Sequence, residues 1–337
     1  MRSSLRDVAK LAGVSVKTVS NVVNDYPHVT TRTRDKVQRA LEELSYRPNI
    51  SARHLRSGKS GVIALAVPDL SSPYFAELAS AVTRAAAERS FTVFIDQTDG
   101  DPALERRVVS GLGGRLIDGV ILSPLALTDD DIAAAQQSMP VVLLGERVAE
   151  GPADHVAIDS AAAAREAVEH LVSLGRRRIA AIGYQGFETG ETARLRAAGY
   201  EAALRDAGLE DDPDLHIETE SYHRADGAAG MARLLALPEP PDAVLGFNDL
   251  LALGAVRALH EAGKAVPGDV AVIGIDDIED GRFSTPQLST IAPDKDEISR
   301  VAVDFLLSRI AADDDAPPPR ERVTAHRLVV RESTAGR

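Results

Sequence analysis

Residues 5–23, LRDVAKLAGVSVKTVSNVV, carry the pattern of two short helices joined by a tight turn. Ala9 and its apolar neighbours share one face of the first predicted helix. Gly13 follows at the turn, where a residue that tolerates positive φ is needed. Ser15 is a suitable N-cap for the second helix, because its hydroxyl can accept from a free backbone N–H. The inward face of that helix is formed by Val19, Val22 and Val23. The arrangement is typical of a helix-turn-helix.

The outer face of the second predicted helix carries polar residues. In helix-turn-helix proteins this helix enters the DNA major groove with its N-terminal end against the base edges. Lys17 can donate to guanine, Asn21 can pair with adenine, and Val16 can contact a thymine methyl group. Hydroxyl groups suit phosphate oxygens, and the candidates are Ser15, Thr18 and Ser20. An ordinary helical hairpin with a polar outer face is the alternative.

A third helix is predicted after Thr30, and it ends near Tyr46 and Pro48. Its inward residues are Val37, Ala40, Leu41 and Leu44. The basic segment NISARHLRSGKSG follows at residues 49–61, ahead of a hydrophobic strand. Ala52 and Leu55 are three residues apart within it, on one face of a potential helix.

Charge is distributed unevenly along the 337 residues, whose net charge is −13. Residues 1–60 carry a net charge of +7, and the rest of the chain carries −20. A basic head on an acidic body indicates that only the head contacts a polyanion, although a solubilising basic tail is the alternative. The chain has no cysteine, which excludes disulfides and thiolate metal sites. No signal peptide or membrane span is evident, so we expect a cytoplasmic protein.

Short apolar runs alternate with helical patterns from Gly61 onward. Buried parallel strands are predicted at residues 62–67, 91–96, 117–122, 141–144, 178–183, 242–247 and 270–275. Helices are predicted near residues 74–89, 101–114, 129–138, 190–208, 225–236 and 248–262. Gly175 and Gly208 are typical of helix C-terminal ends. Two series of alternating strands and helices predict two α/β lobes of parallel sheet, with a ligand cleft at the carboxyl ends of the strands.

Polar side chains follow several of these predicted strands. Asn248 and Asp249 come after one strand, Asp276 and Asp277 after another, and Arg196 lies early in a helix after a third. Carboxylates accept from neighbouring hydroxyls and a guanidinium donates to sugar oxygens, so this set is suited to a sugar. Each residue also has a structural alternative. Asn248 or Asp249 can instead cap the following helix. Asp276 and Asp277 can form a solvated turn, and Arg196 can pair with Glu191 or Glu201 on its own helix.

Other functional classes fit the residues poorly. A sugar-binding transport protein needs an export signal and no DNA-binding head, which is the reverse of this chain. The phosphate-loop, dinucleotide and calcium-loop patterns each lack a required residue, and the histidines show no metal-ligand spacing. We therefore expect no enzyme activity, no catalytic residue, no metal and no cofactor.

Longer motifs resemble the lac repressor family in order and spacing. They include DVAKLAGVSVKTVSNVVN, VTTRTRDKVQRALEELSYRPN, SARHLRSGKS, PDLSSPYFAEL, GFNDLLALGAVRAL and VIGIDDIEDGRFSTPQLSTI, and the resemblance covers essentially the whole chain. It implies an all-α helix-turn-helix head at residues 1–48, a hinge helix at 49–60, and a two-lobed body at 61–337 that resembles periplasmic binding proteins. The body would bind an effector and form the homodimer.

The resemblance also implies which residues contact DNA and effector. Leu55 would wedge into the minor groove beside Ala52, and an apolar wedge of this kind kinks the duplex. The candidate DNA-binding residues are Leu5, Ser15, Val16, Lys17, Thr18, Ser20, Asn21, His28, Thr33, Ala52, Arg53 and Leu55. The candidate effector-binding residues are Pro73, Phe75, Arg147, Arg196, Tyr222, Asn248, Asp249 and Asp276. For Phe75 and Tyr222, plain packing is the alternative.

Two departures from the family pattern bear on the effector. Gly145-Glu146-Arg147 stands where many relatives have Asp-Arg directly, and Lys295 stands near a position that is aromatic in some relatives. A sugar phosphate or a nucleobase therefore stays open beside a sugar. The expected function is a dimeric repressor of pseudo-palindromic operator DNA under allosteric control by a small polar ligand, and an activator of the same architecture is the alternative.

Overall fold

The computed structural model describes residues 4–23, 26–44, 46, 59–111, 116–145, 151–186, 190–312 and 317–335. They belong to two compact units, residues 1–60 and 61–337. The candidate site residues Ala52, Arg53, Leu55 and Arg147 lie outside the described residues, as do residues 49–58 of the predicted hinge segment 49–60.

The described part of the N-terminal unit contains three helices, α1 (Leu5–Ala12), α2 (Val16–Val23) and α3 (Thr31–Glu43). Ser4 caps α1 in a reciprocal pair with Asp7, and Gly13 ends it with φ 63°. Thr30 caps α3, as its position predicts. Val8, Val19 and Val37, one from each helix, are fully buried and form the centre of the unit. The predicted helix-turn-helix is thus present.

The C-terminal unit has two lobes, each built on a six-stranded sheet. Lobe 1 contains β1 (Val62–Val67), β2 (Thr92–Gln97), β3 (Val120–Leu122), β4 (Val141–Leu144), β5 (Asp154–Ile158) and β11 (Glu321–Thr324), in the order β11-β5-β4-β3-β1-β2. Lobe 2 contains β6 (Ile179–Tyr184), β7 (His216–Glu218), β8 (Ala243–Gly246), β9 (Ala271–Ile275), β10 (Ser289–Pro293) and β12 (His326–Val329), in the order β12-β10-β9-β8-β6-β7. Among the described strands, the pairs are parallel except β10 with β12.

Helices cover both sheets. Those of lobe 1 are α4 (Pro73–Ala87), α5 (Pro102–Val109), α6 (Asp129–Gln136) and α12 (Lys295–Ala312). Those of lobe 2 are α7 (Ser160–Ser173), α8 (Glu191–Asp206), α9 (Arg224–Leu235), α10 (Asp249–Glu261), α11 (Glu279–Phe283) and α13 (Glu332–Ala335). A short 3-10 turn spans Pro213–Leu215. The predicted mixed α/β class with a helical head is confirmed.

The chain passes between the two lobes three times, after β5, after β10 and after β11. The last two passages are hydrogen-bonded to each other, because the Asp294 N–H donates to the Ala325 carbonyl at 3.2 Å. The carboxyl ends of the parallel strands of both sheets face the cleft beside these passages, as expected for doubly wound sheets.

One strand differs from its predicted environment. Residues 91–96 were expected to form a buried strand, but β2 lies at the edge of the lobe 1 sheet and pairs only with β1. Phe94 is 49% exposed and Ile95 is 44% exposed. A continuous apolar run predicts a strand, but does not indicate which of its side chains are covered within one subunit.

Candidate DNA-binding face and effector cavity

The N-terminal end of α2 is held by Ser15. The Ser15 Oγ accepts from the Thr18 N–H at 3.1 Å and lies 2.8 Å from the Thr18 Oγ1. Val16 is 40% exposed and Lys17 is exposed, which leaves both free to reach a groove. Thr18, Ser20 and Asn21 are half-buried on the same helix. The predicted base-reading residues therefore share the outer side of α2.

The remaining candidates of the head differ in exposure. His28 is exposed and contacts the ring edge of Tyr26 at 5.5 Å between centroids. Thr33 is half-buried in the first turn of α3, with its hydroxyl 2.9 Å from that of Thr30. Leu5 is half-buried against the apolar centre of the head. Tyr26, which is 50% exposed, was not selected from the sequence, because an aromatic between two helices is equally typical of packing.

A cavity of about 620 Å³ lies in the cleft between the lobes. Of the predicted effector-binding residues, it is lined by Phe75, Arg196, Tyr222, Asn248 and Asp276. Further lining residues include Asp69, Tyr74, Asp99, Ser123, Ile158, Gln185, Glu191, Glu220 and His223. We call this space the effector cavity. Its size is typical of sites for small ligands.

Arg196 is fixed at the lobe 2 side of the effector cavity although it is only 7% exposed. Its Nη1 donates to the Phe247 carbonyl, and its Nη2 lies 4.0 Å from the Asp276 Oδ1. The predicted alternative for Arg196 was a partner on its own helix, but Glu191 pairs with Arg194 and Glu201 accepts from Tyr184. The guanidinium is thus held by lobe 2 beside a carboxylate, at the surface of the cavity.

Asn248 caps a helix, which was the structural alternative for this residue, and it also lines the effector cavity. Its Oδ1 accepts from the Leu251 N–H at 2.9 Å and caps α10, while its Nδ2 donates to the Tyr222 carbonyl at 3.1 Å. Tyr222 in turn donates its phenol to the Gly183 carbonyl at 2.9 Å. The amide and the aromatic ring are therefore both positioned by contacts to the protein's own backbone.

The structure does not bring Asp249 to the effector cavity. Its side chain is fully buried, with Oδ2 accepting from the Ile278 N–H at 2.9 Å and Oδ1 from the Thr290 hydroxyl at 2.7 Å. Burial, together with the nearby charge of Asp276, raises the pKa of Asp249 well above its usual range. Asp249 joins α10 to the turn after β9, so it supports Asp276 and does not itself face the cleft.

Lobe 1 contributes an aromatic and aliphatic wall. Tyr74 and Phe75 meet edge to face at 5.2 Å between centroids, and Leu78, Val156 and Ile158 continue the surface. Pro73 is absent from the lining, because it occupies the first turn of α4 while the following residues face the cavity. Such a wall suits the apolar face of a ring-shaped ligand.

Charge in the described lining is predominantly negative, with the carboxylates of Asp69, Asp99, Glu191, Glu220 and Asp276 against the guanidinium of Arg196. His223 lies 3.4 Å from Asp69, so a lobe 2 imidazole meets a lobe 1 carboxylate across the cleft. Lys295 does not line the cavity. Its ammonium lies 2.6 Å from the Glu77 carboxylate. Within the described residues, the lining offers little compensation for a dianionic ligand.

Several lining residues were missed in the sequence, although the rule that selected the others applies to them. Ser123 follows β3, Gln185 follows β6, and Glu220 and His223 follow β7. The signal is therefore position after a strand. For Glu220 and His223 this signal was hidden, because β7 is only three residues long and was not predicted.

Comparisons with known proteins agree with this architecture. Residues 4–49 match the model of the bacterial regulatory proteins of the lacI family, and residues 168–334 match a periplasmic binding protein-like domain. The ribose operon repressor of Escherichia coli K12 is 35% identical over 310 residues, which cover 91% of this chain and 93% of that protein. The chain therefore belongs to the lacI family, a class of DNA-binding repressors with a ligand-binding domain, and not to an enzyme family.

Two solved structures extend the comparison. The lac repressor dimer bound to operator and the anti-inducer ONPF has a TM-score of 0.85 and 29% identity, with 99% of each chain covered. A complex of the transcriptional regulator CelR with cellobiose has a TM-score of 0.72 and 32% identity, with 98% of this chain and 100% of that chain covered. None of the helices in the described ranges combines the length and the hydropathy that a membrane-spanning segment requires.

Proposed function

We propose that this protein is a cytoplasmic, homodimeric repressor of a pseudo-palindromic operator, and that a neutral sugar in the effector cavity controls its affinity for DNA. In this proposal residues 1–48 bind DNA, and residues 61–337 bind the effector and form the dimer. Residues 49–60 form the hinge that links these two parts. The observation that carries the sugar assignment is the grouping of Arg196, Asn248 and Asp276 opposite the Tyr74 and Phe75 wall. Polar groups for hydroxyls on one side and aromatic rings on the other suit a pyranose.

The charge of the cavity favours a neutral ligand over a phosphorylated one. Five carboxylates in the described lining would repel a phosphate, and Arg196 already lies beside Asp276. The CelR–cellobiose complex supports a sugar of up to two rings. A sugar phosphate or a nucleobase is the second candidate, and it depends on Arg147, which is outside the described residues.

A thermal-shift screen with the full chain tests the effector class. The panel is cellobiose, ribose, a hexose 6-phosphate and a purine base, each at millimolar concentration. A ligand that binds only the folded protein raises the unfolding midpoint by mass action. We expect a rise with a neutral sugar. A rise confined to the phosphate or the purine would reject the neutral-sugar assignment.

Operator binding is tested separately, by selecting duplexes from a randomised pool and measuring affinity with and without the effective sugar. We expect an inverted repeat, because a two-fold dimer presents two identical heads. Lys17→Met should weaken binding to the selected sequence, with loss of discrimination at one base pair per half-site. Selection of no common sequence would contradict the proposed function.

The exposed edge strand β2 supports the dimer. Phe94 and Ile95 are adjacent residues on opposite faces of this strand, and both expose apolar side chains at the free edge of the lobe 1 sheet, a position where exposed apolar residues favour association. The lac repressor in the related structure is a dimer. Phe94→Asp should shift sedimentation towards monomer and weaken operator binding. A fully dimeric variant would place the interface elsewhere.

A further inference from the structure

Lys295 lies where the chain passes from β10 of lobe 2 into α12 of lobe 1. Its Nζ donates to two backbone carbonyls of lobe 2, that of Asp276 at 2.6 Å and that of Asp277 at 3.1 Å. The same ammonium lies 2.6 Å from the Glu77 Oε2 on α4 of lobe 1, and 5.7 Å from the Tyr74 ring centroid. One side chain thus contacts both lobes next to the effector cavity.

Glu77 makes the reciprocal connection. Its second oxygen, Oε1, accepts from the Glu279 N–H at 2.9 Å, at the start of α11 in lobe 2. The carboxylate is therefore bonded to the ammonium through one oxygen and to lobe 2 backbone through the other. Lys295 is 15% exposed and Glu77 is 32% exposed, so the pair is partly shielded from solvent. Partial shielding makes the pair stronger than an ion pair on an open surface.

The backbone that Lys295 holds is strained. Asp276 has φ 123° and Asp277 has φ 48°, both in the region that residues with a side chain rarely adopt. Arg282 donates to the Asp277 carboxylate at 2.8 Å and Arg331 at 2.5 Å, which fixes Asp277 within lobe 2. Strained backbone of this kind persists only when several contacts hold it. Here the ammonium supplies the contacts to the carbonyls, and the same turn directs Asp276 towards Arg196.

We propose that Lys295 and Glu77 form a clasp that holds the two lobes at their present angle, and that Lys295 is a positioning residue for Asp276. A change of lobe angle separates Glu77 from the Glu279 N–H and Lys295 from the two carbonyls. An effector that favours a different lobe angle must therefore break the clasp. It changes the angle only if its binding free energy favours the new arrangement by more than the free energy of the lost bonds. The part that concerns the effector rests on the proposed function, whereas the clasp itself does not.

The lobe angle can be measured directly, because the chain has no cysteine and accepts two spin labels at introduced cysteines. Ala134 on α6 of lobe 1 and Ala229 on α9 of lobe 2 are exposed, and labels at these positions report the distance between lobes. Lys295→Met retains the length of the side chain and removes its charge. Pulsed electron paramagnetic resonance on the full chain, without ligand or DNA, should then show a broader or displaced distance distribution.

Arg84→Met is the matched control. Arg84 also lies on α4 and pairs with Asp296 on α12 at 2.9 Å, but both helices belong to lobe 1, so this ion pair does not join the lobes. The control should retain the parent distribution. A Lys295→Met distribution that superimposes on those of the parent and the control would overturn the clasp.

Two further variants separate a clasp from a general loss of stability. Lys295→Arg retains a cation and should restore most of the parent distribution. Glu77→Gln removes the charge from the other partner and should broaden the distribution as Lys295→Met does, and the double variant should add little beyond either single change. Glu77→Gln also carries the test if Lys295→Met fails to fold. Independent, additive effects of the two changes would contradict a shared clasp.

Titration with cellobiose and ribose distinguishes the two proposals. If the parent binds one of these sugars, Lys295→Met should lower its affinity several-fold, while Arg84→Met should leave it unchanged. If the parent binds neither cellobiose nor ribose, these two sugars are rejected as effectors, but the ligand-free distance distributions still decide the clasp. Lys295→Met could also broaden the distance distribution and leave sugar affinity unchanged. This result would support the clasp and reject the positioning role of Lys295.

Discussion

The two lobes share a strand arrangement and a buried ionic centre, but they contribute differently to the effector cavity. In lobe 1, Asp154 is fully buried and paired with Arg309 at 2.7 Å and Arg320 at 2.6 Å. In lobe 2, Asp277 is paired with Arg282 at 2.8 Å and Arg331 at 2.5 Å. Lobe 2 presents hydrogen-bonding groups to the cavity, whereas lobe 1 presents mainly rings and aliphatic side chains.

This difference has a physical reason. Hydrogen bonds to a ligand require donors and acceptors at fixed positions, whereas apolar contact tolerates small displacements. The polar residues of lobe 2 are each tied to backbone, as Asn248 is to Leu251 and Tyr222. Helices of lobe 2 also approach closely at glycines, since a Cβ on Gly254 of α10 would overlap the Arg224 carbonyl at the start of α9. We infer that lobe 2 determines recognition and that lobe 1 covers the bound ligand.

The largest expected effect is on the ionic centre of lobe 1. Asp154→Ala leaves two guanidinium groups without their buried carboxylate, which we expect to cost about 3–5 kcal/mol of the free energy of unfolding. Asp130→Ala, at an exposed position of α6, is the control. Urea denaturation measures both variants. A loss in Asp154→Ala no greater than in the control would show that the ionic centre of lobe 1 does not stabilise the fold.

Low pH should remove the stabilising effect of the same ionic centre. Burial alone would raise the pKa of Asp154, but the hydrogen bonds from Arg309 and Arg320 outweigh burial and hold that pKa below its usual value. The ion pair therefore adds stability above the unfolded-state pKa of about 3.9, and that stability is lost as pH falls through the folded-state pKa. Asp154→Asn should flatten the decline of the melting temperature below about pH 5, since it removes this titration. An unchanged slope would contradict the assignment.

The close helix packing of lobe 2 gives the next effect. Gly254→Val places a branched side chain against the backbone of α9 and should lower the free energy of unfolding by about 3 kcal/mol or more. Ala229→Val, on the exposed side of α9, should lower it by only about 0.5 kcal/mol. Thermal denaturation followed by circular dichroism compares them. Equal midpoints for the two variants would remove the argument that lobe 2 is the more constrained lobe.

Loss of recognition should follow from a change in lobe 2. Arg196→Met removes the guanidinium beside Asp276, and a charged hydrogen bond contributes about 1.5–3 kcal/mol, so effector affinity should fall roughly 10- to 100-fold. Arg205→Met, exposed on the same helix, should leave affinity unchanged. Calorimetry with the sugar selected in the thermal-shift screen measures both. An unchanged effector affinity in Arg196→Met would show that this part of the cavity does not recognise the effector.

The smallest effect is expected in lobe 1. Phe75→Ala removes a half-buried ring from the cavity wall and should weaken binding of the same sugar by about 1–2 kcal/mol. The affinity for operator in the absence of sugar should be retained. A loss larger than that of Arg196→Met would reverse the ranking of the two lobes in recognition.

Much of this arrangement could be predicted from local pattern. Seven predicted strands correspond to β1 to β4, β6, β8 and β9, and α7 ends before the glycine expected to stop it. The strands β11 and β12 were missed because ERVT and HRLV are short and rich in charge, so their apolar periodicity is weak. Their place in the sheets depends on partners far away in the chain, which no local pattern encodes.

The site was predictable in position and less so in role. Arg196, Asn248 and Asp276 follow strands and do line the cavity, yet their neighbour Asp249 faces the interior. The difference between adjacent residues arises from rotation along α10, where Asn248 is the cap and Asp249 the first helical residue. Sequence spacing gave no indication that Lys295 would contact Glu77, 218 positions earlier, because that contact requires both lobes to be folded.

The double role of Asn248 also limits how this repressor can diversify. One amide ends a helix and secures the loop that carries Tyr222, so a replacement that suits a new ligand also removes a cap worth about 1 kcal/mol of stability. A marginally stable protein tolerates few such losses. Phe75 in the lobe 1 wall is placed by apolar packing against Tyr74 and the core. Changes of ligand preference between related genes are therefore expected to accumulate first in the wall, while the polar set of lobe 2 changes more slowly.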